Sequence, residues 1–291
     1  MSKSFVRKSL QGFKPYVPGE QPPDGEDWVK LNTNESPLPP SPRVIEAIKA
    51  AADDSLRLYP SPTAAPARRA IAKHFGLQPD QVTVANGADD LIEMCFRAFA
   101  GAGDRVAYPI PTYPLFEPLC AIHGAVASPN PSGDAFTWST ELMDDPAPLK
   151  FLVNPNSPTG TWHGGPSVER VLLRSAGVVV LDEAYVDFAL ESQVGLLAKH
   201  DNLLILRTMS KSYALAGMRI GFALGSAELI AALDAVKDSY NVDRLAIVAA
   251  SAAIEDDQHH RRIVKHVVSE RAWLEDQLRE LGFEQYSPSA A

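Results

Sequence analysis

From about residue 80 to residue 225 the chain repeats one alternation: a short apolar run, a few turn-forming residues, then a helical pattern. Runs that read as strands lie at residues 82–85, 105–108, 125–128, 151–154, 178–181, 203–207 and 220–224. Helical periodicity fills most of the gaps, at 89–100, 114–122, 166–175 and 227–237. Runs that are apolar throughout fit strands buried on both faces, as in a parallel sheet covered by helices. The expected fold is therefore α/β, with one large layer built on a mostly parallel seven-stranded sheet. Open sheets of this kind bind ligands beyond the carboxyl ends of their strands, so the residues just past each run are the first place to look for chemistry.

The flanks differ. Eleven of the 24 prolines fall between Pro15 and Pro66. Proline fixes φ and removes a backbone donor, so this segment predicts an extended arm with short helices. One helix should start at Pro42 and place Val44, Ile45, Ile48 and Ala51 on one face. After Tyr240 the pattern is mainly helical, with a long amphipathic helix expected over 259–281. Gly282, Phe283 and Glu284 then read as the start of a strand, ahead of the final residues 287–291. The organisation expected is an N-terminal arm and small-domain segment over 1–40, a large domain over 41–245, and the truncated start of a C-terminal small domain over 246–291.

Bulk properties exclude several functions. The net charge of −9 argues against nucleic-acid or anionic-membrane partners, which demand a basic face. Two cysteines, Cys95 and Cys120, suggest a reducing compartment. No apolar stretch approaches the ~20 residues of a membrane span, and the N-terminus lacks the apolar core of a signal peptide, so the cytoplasm is expected. The seven histidines are scattered, His259 and His260 face different directions on a helix, and the cysteines lack zinc spacing, so no metal is expected. Arg68–Arg69 and Arg261–Arg262 read as solvated helix faces. No G-x-G-x-x-G follows a strand-like run, which disfavours a dinucleotide.

Five polar groups follow the apolar runs. Asn86, Gly87, Ala88, Asp89 and Asp90 open a helix after the first run; such a tip suits a phosphate, although Asp89 as a simple helix cap is the commoner use. Tyr113 lies in a proline-rich loop, as a cover for a flat ligand or as a core aromatic. Asn154, Asn156 and Ser157 sit in a rigid Asn/Pro turn ending at Gly160. Asp182, Glu183 and Tyr185 follow a buried run, where a carboxylate needs a cation: a ring N–H⁺ or an arginine. Ser210 and Lys211 follow the sixth run in a stretch poor in other charges, with Arg219 and Gly221 beyond. A desolvated lysine loses its proton readily and attacks carbonyls. Lysine, strand-end aspartate, stacking tyrosine and phosphate cradle are together the parts of a pyridoxal-phosphate site.

This set, in this order, resembles the fold-type I pyridoxal-phosphate aminotransferases of class I/II. The resemblance runs from Phe13–Lys–Pro–Tyr16 onward, and within the family it looks most like the histidinol-phosphate branch, through Leu31–Asn–Thr–Asn34–Glu35 and Arg57–Leu–Tyr59–Pro60. The resemblance implies a cofactor, pyridoxal 5′-phosphate, joined as an imine to Lys211, which also shuttles the substrate proton. It implies that Asp182 keeps the pyridine nitrogen protonated, Tyr185 donates to the ring's phenolic oxygen and Tyr113 stacks on the ring. Gly87, Ala88, Asp89, Ser210 and Arg219 would hold the phosphate, and Tyr59 would reach the phosphate of a neighbouring subunit, making a homodimer. Tyr16 and Asn34 would lie near the substrate. The implied substrates are small amino and oxo acids: histidinol phosphate or an aromatic amino acid with 2-oxoglutarate, the former placing the chain in histidine biosynthesis.

Two departures qualify the resemblance. Ser157 stands where the family has the asparagine that bonds the ring oxygen; either its shorter hydroxyl reaches through water or Asn156 or Asn154 compensates. No residue matches the arginine of the family's C-terminal domain that clamps the substrate carboxylate, so cofactor binding with poor handling of amino acids is expected. Threonine-phosphate decarboxylases are similar in the same motifs, and a cofactor-binding remnant is a further alternative.

Overall fold

The computed structural model describes residues 5–7, 10–17, 19–22, 29–284, 286 and 289. Its elements in chain order are α1 (Pro42–Ala51), α2 (Ala65–Phe75), β1 (Val82–Ala85), α3 (Ala88–Phe99), β2 (Arg105–Ile110), α4 (Phe116–His123), β3 (Val126–Pro131), α5 (Thr140–Asp144), β4 (Leu149–Val153), α6 (Gly165–Arg174), β5 (Val178–Asp182), β6 (Leu203–Thr208), β7 (Gly221–Gly225), α7 (Ala227–Val236), α8 (Arg244–Glu255) and α9 (Asp257–Glu280). Pro42 occupies the first turn of α1, and Ser41 caps it by accepting the Arg43 N–H.

All seven expected strands form and share one sheet, in the order β1-β7-β6-β5-β4-β2-β3. Pairing is parallel from β3 through β2, β4 and β5 to β6. The exception is β7, which runs antiparallel to both β6 and β1. The chain turns back after β6 through residues 209–220, which hold one short 3-10 turn and no crossover helix. That stretch carries Lys211 and Arg219.

Side chains alternate between the sheet's faces, so each strand feeds two cores. Leu152, Val179, Leu181, Leu203, Ile205 and Phe222 pack on one side with helices α2, α6 and α8. Phe151, Val180, Leu204, Leu206 and Ala223 pack on the other with α3, α4 and α7. Burial on both sides is why the runs were apolar throughout. Helix α8 also packs against α1 and α2. No helix among the described residues is long and apolar enough to cross a membrane.

Two sequence expectations fail here. The strand expected at 282–284 does not form: Gly282 turns at φ 83° and the Phe283 N–H closes on the Leu278 carbonyl, ending α9. Glycine past a helix end favours this left-handed stop. Of the terminal stretch, residues 287, 288, 290 and 291 lie outside the described residues. Arg68, expected on a solvated face, is instead largely covered and ion-paired with Asp234, whose other oxygen accepts from Thr83 of β1.

Phe151 of β4 is stacked between Phe116 at 4.6 Å and Phe96 at 5.5 Å and is fully buried. Phe151→Ala should therefore lower unfolding stability by about 3–5 kcal/mol, measured by denaturant titration. A loss below about 1 kcal/mol would contradict this packing.

Candidate active site

The first half of the site is a helix tip. Between β1 and α3 the chain turns at Gly87, whose φ is 95°, and no side chain caps α3. The first-turn N–H groups and the positive end of the helix dipole are therefore presented together. A Cβ at Gly87 would lie 2.6 Å from Arg219 Nη2, and one at Gly221 would lie 2.5 Å from the Gly87 carbonyl carbon and 2.7 Å from the Ala88 nitrogen. Two glycines thus allow the start of β7 and the Arg219 guanidinium to close on the tip. Arg219 Nη1 lies 3.4 Å from Ser210 Oγ. Ser210 is held in turn by Thr208, whose hydroxyl accepts its N–H at 3.1 Å. Thr208 went unnoticed in the sequence, where only its place two residues before Ser210 distinguishes it. Helix N–H groups, guanidinium and hydroxyl make an anion cradle.

Asp89 corrects the capping expectation. Its carboxylate accepts the Tyr113 hydroxyl at 3.0 Å and lies 3.6 Å from Arg219 Nη2. It faces the cradle and does not close the helix.

The second half sits at the ends of β5 and β6. Asp182, the last residue of β5, is 5% exposed, and its carboxylate accepts the Ala184 N–H at 2.9 Å. No salt bridge with a cation is formed by it among the described residues. The arginine next to it in the sheet, Arg207, is committed to Glu183 and Asp187. Burial, with added repulsion from Asp89 and Glu183, outweighs the Ala184 hydrogen bond and pushes the Asp182 carboxyl up to about 7. Lys211 Nζ donates to the Thr33 carbonyl at 2.7 Å and the Asn34 carbonyl at 3.3 Å, and lies 5.4 Å from the centre of the Tyr185 ring. Burial holds its ammonium below the ordinary lysine range. Tyr185 accepts from Asn34 Nδ2 at 3.0 Å, and burial raises its phenol.

The remaining candidates divide. Tyr113 joins the site through Asp89 and has the Tyr16 ring 6.0 Å away. Asn154 and Asn156 are spent on the loop itself. Asn154 bonds both ways with the His163 backbone, while Asn156 donates to the Pro111 carbonyl and Thr159 Oγ1 and accepts from Thr112. Neither amide is left to take over from Ser157; both shape the turn. Tyr59 is not in this chain's site: it is 78% exposed and stacks on Tyr240 at 4.4 Å. A cleft of about 660 Å³ leads from Lys211 and Asn34 outward between the 30–37 segment and α9, past Leu31, Trp273 and Leu278.

Known proteins match this arrangement. The family described as aminotransferase class I and II matches residues 26–291. The histidinol-phosphate aminotransferase of Geotalea uraniireducens is 40% identical over 278 residues, covering 96% of this chain and 80% of that protein. That of Acetobacter pasteurianus is 43% identical over 284 residues, with the same coverage. Among solved structures, histidinol-phosphate aminotransferase from Sinorhizobium meliloti, in complex with pyridoxal-5′-phosphate, superposes with a TM-score of 0.83 at 28% identity, covering 89% of this chain and 72% of that one. Aspartate aminotransferase from Thermus thermophilus, solved with maleate, shares the fold with a TM-score of 0.85 at 22% identity, covering 99% and 84%.

Two outcomes are expected. Gly221→Ala forces backbone against backbone at the helix tip, so it should weaken binding of inorganic phosphate at least about tenfold or destabilise the fold. Calorimetric titration showing unchanged affinity and stability would contradict the close approach. For Asp182 the folded-state value is raised, so its contribution to stability is present below its unfolded value of 3.8 and lost as the pH rises through about 7. The melting temperature of the cofactor-free chain should fall across that window more steeply in wild type than in Asp182→Asn; parallel curves would show that Asp182 titrates normally.

Proposed function

Because the chain belongs to the class I and II aminotransferases, we propose that it moves the amino group of histidinol phosphate to a 2-oxo acid such as 2-oxoglutarate, using pyridoxal 5′-phosphate. The reading of the donor rests on relatives 40–43% identical that carry the name histidinol-phosphate aminotransferase. An aromatic amino donor is the nearest variant, since a few pocket contacts separate such substrates. The reading of the cofactor rests on one observation above the others: a buried strand-end carboxylate that pairs with no cation among the described residues, with a desolvated lysine and an anion cradle at the same sheet edge.

The residues present fit the cofactor. Its phosphate would be held by the α3 tip at Gly87, Ala88 and Asp89, by Ser210 and by Arg219. The Asp182 carboxylate would face the ring nitrogen, and Tyr185 the phenolic oxygen. Bound pyridoxal phosphate supplies an aldehyde that captures amines and a ring that draws electrons from the carbon bearing them. Asp182 would place fixed negative charge opposite the ring nitrogen, where a proton must stay. Burial holds the Lys211 ammonium below the ordinary lysine range, and its amine would join the aldehyde and would take and return a substrate proton. Tyr113 and Tyr16 close the site from the side of the N-terminal arm. Ser157 supplies a shorter polar group than asparagine, which leaves Tyr185, steadied by Asn34, as the main partner of the phenolic oxygen.

Two further parts are also proposals. Tyr59 projects away from this chain's site, an exposure that suits a homodimer in which it reaches the partner's phosphate cradle. A small-molecule biosynthetic role in histidine synthesis and the reduced cysteines suit the cytoplasm.

Borohydride reduction after adding pyridoxal phosphate, followed by peptide mapping, should place the modification on Lys211. Lys211→Ala should lower transamination of histidinol phosphate by at least about 1,000-fold, the scale of a lost acid–base group. Modification at another lysine, or activity that survives the substitution, would overturn the assignment.

A further inference from the structure

Behind the site lies a second set of buried polar groups that touch neither the cradle nor the cleft. Alternation along the strands separates the two sets. Leu206 packs with the core on the α3 side, whereas Arg207 turns to the other face, where its guanidinium lies 5.4 Å from the centre of the Phe75 ring. Asp182 and Glu183 divide in the same way: Asp182 faces the site, and Glu183 meets Arg207 at 3.0 Å.

Arg207 is 4% exposed and Glu183 1%. Glu183 also accepts from the Ser192 hydroxyl at 2.6 Å and the Gln193 N–H at 2.7 Å. The other end of the Arg207 guanidinium donates to Asp187. Asp187 in turn accepts the hydroxyl of Ser212, a fully buried residue adjoining Lys211. Its second neighbour is His260 of α9, with Nε2 3.4 Å away, and the His260 ring stacks on Tyr213 at 4.2 Å. One arginine therefore joins the residue that follows Asp182 to the residue that follows Lys211.

We infer that Arg207, with Asp187 and Ser212, forms a positioning clamp that sets the Lys211 amine in register with the Asp182 carboxylate from the rear of the sheet edge. The inference rests on the cofactor reading above. The physical basis is that Asp182 and Lys211 sit on separate strand ends, and both must meet one rigid ring. Backbone hydrogen bonds hold the strands, but Lys211 lies in the turn beyond β6, where the ladder has ended. A buried ionic network with geometry fixed at both ends supplies the missing constraint. Misplacement by ~1 Å can cost on the order of 100-fold in rate.

The informative variant is Ser212→Ala, which removes one hydroxyl and leaves Lys211, Asp182 and the cradle in place. Expected is a slowing of about tenfold in the reaction of Lys211 with added pyridoxal phosphate, followed by visible absorbance and by borohydride-fixed mass, with phosphate affinity changed less than about twofold. Ser212→Thr, which keeps the hydroxyl, should restore the rate. Asp187→Asn should act in the same direction as Ser212→Ala. A network that only stabilises the fold would lower the melting temperature while the folded protein reacted at the wild-type rate, and that result would overturn the clamp. Wild-type chain that forms no adduct at Lys211 would overturn the cofactor reading as well, so the two failures are distinguishable.

Discussion

A carboxylate at the end of a buried parallel strand is costly unless a cation meets it, and Asp182 has no ion-pair partner among the described residues. The nearest arginine in the sheet, Arg207, already serves two other carboxylates. Protonation relieves part of that cost, as the raised Asp182 value shows, whereas a cationic ligand would relieve it while keeping the charge. The α3 tip makes the opposite demand, for an anion, through its uncapped N–H groups and Arg219. A small molecule with a cationic ring nitrogen at one end and a phosphate at the other satisfies both. Lys211 lies close by, its ammonium held below the ordinary lysine range by burial.

Topology brings these pieces together. The carboxyl ends of β5 and β6 carry Asp182 and the Lys211 turn, and β7 returns antiparallel so that Arg219 and Gly221 reach the helix after β1. The reversal is what places a distant stretch of sequence against the Gly87 turn. Gly221 permits that contact because any side chain there would strike backbone atoms. The same strand ends send Glu183 and Arg207 the other way, so the reacting groups and their support occupy opposite faces of one sheet edge.

Much of this was legible in the sequence because it depends on local rules. Runs apolar throughout announced strands buried on both sides, and every one of the seven formed within a few residues of its expected bounds. Strand-end polar residues pointed to Asp182, Lys211 and Arg219. What escaped notice depends on three-dimensional partners. Asp89 reads as a cap from its position and enters the site only by resemblance; its contacts with Tyr113 and Arg219 are what the sequence does not show. Asn154 and Asn156 look available in the turn, but the loop consumes their amides. Arg68 looks solvated, but Asp234 comes from a helix 166 positions away. The Arg207 clamp has only parity as a sequence signal: residues next to catalytic ones, polar and pointing away.

The most direct measurement is the titration of the Asp182 carboxyl itself, followed by isotope-edited infrared or NMR spectroscopy with and without pyridoxal phosphate. Without the cofactor it should titrate near 7, and with it the carboxyl should stay ionised well below that value, as a facing cation requires. An ordinary carboxyl value in the cofactor-free chain, or a titration that the cofactor leaves unmoved, would contradict the claim that this buried charge exists to meet the ring.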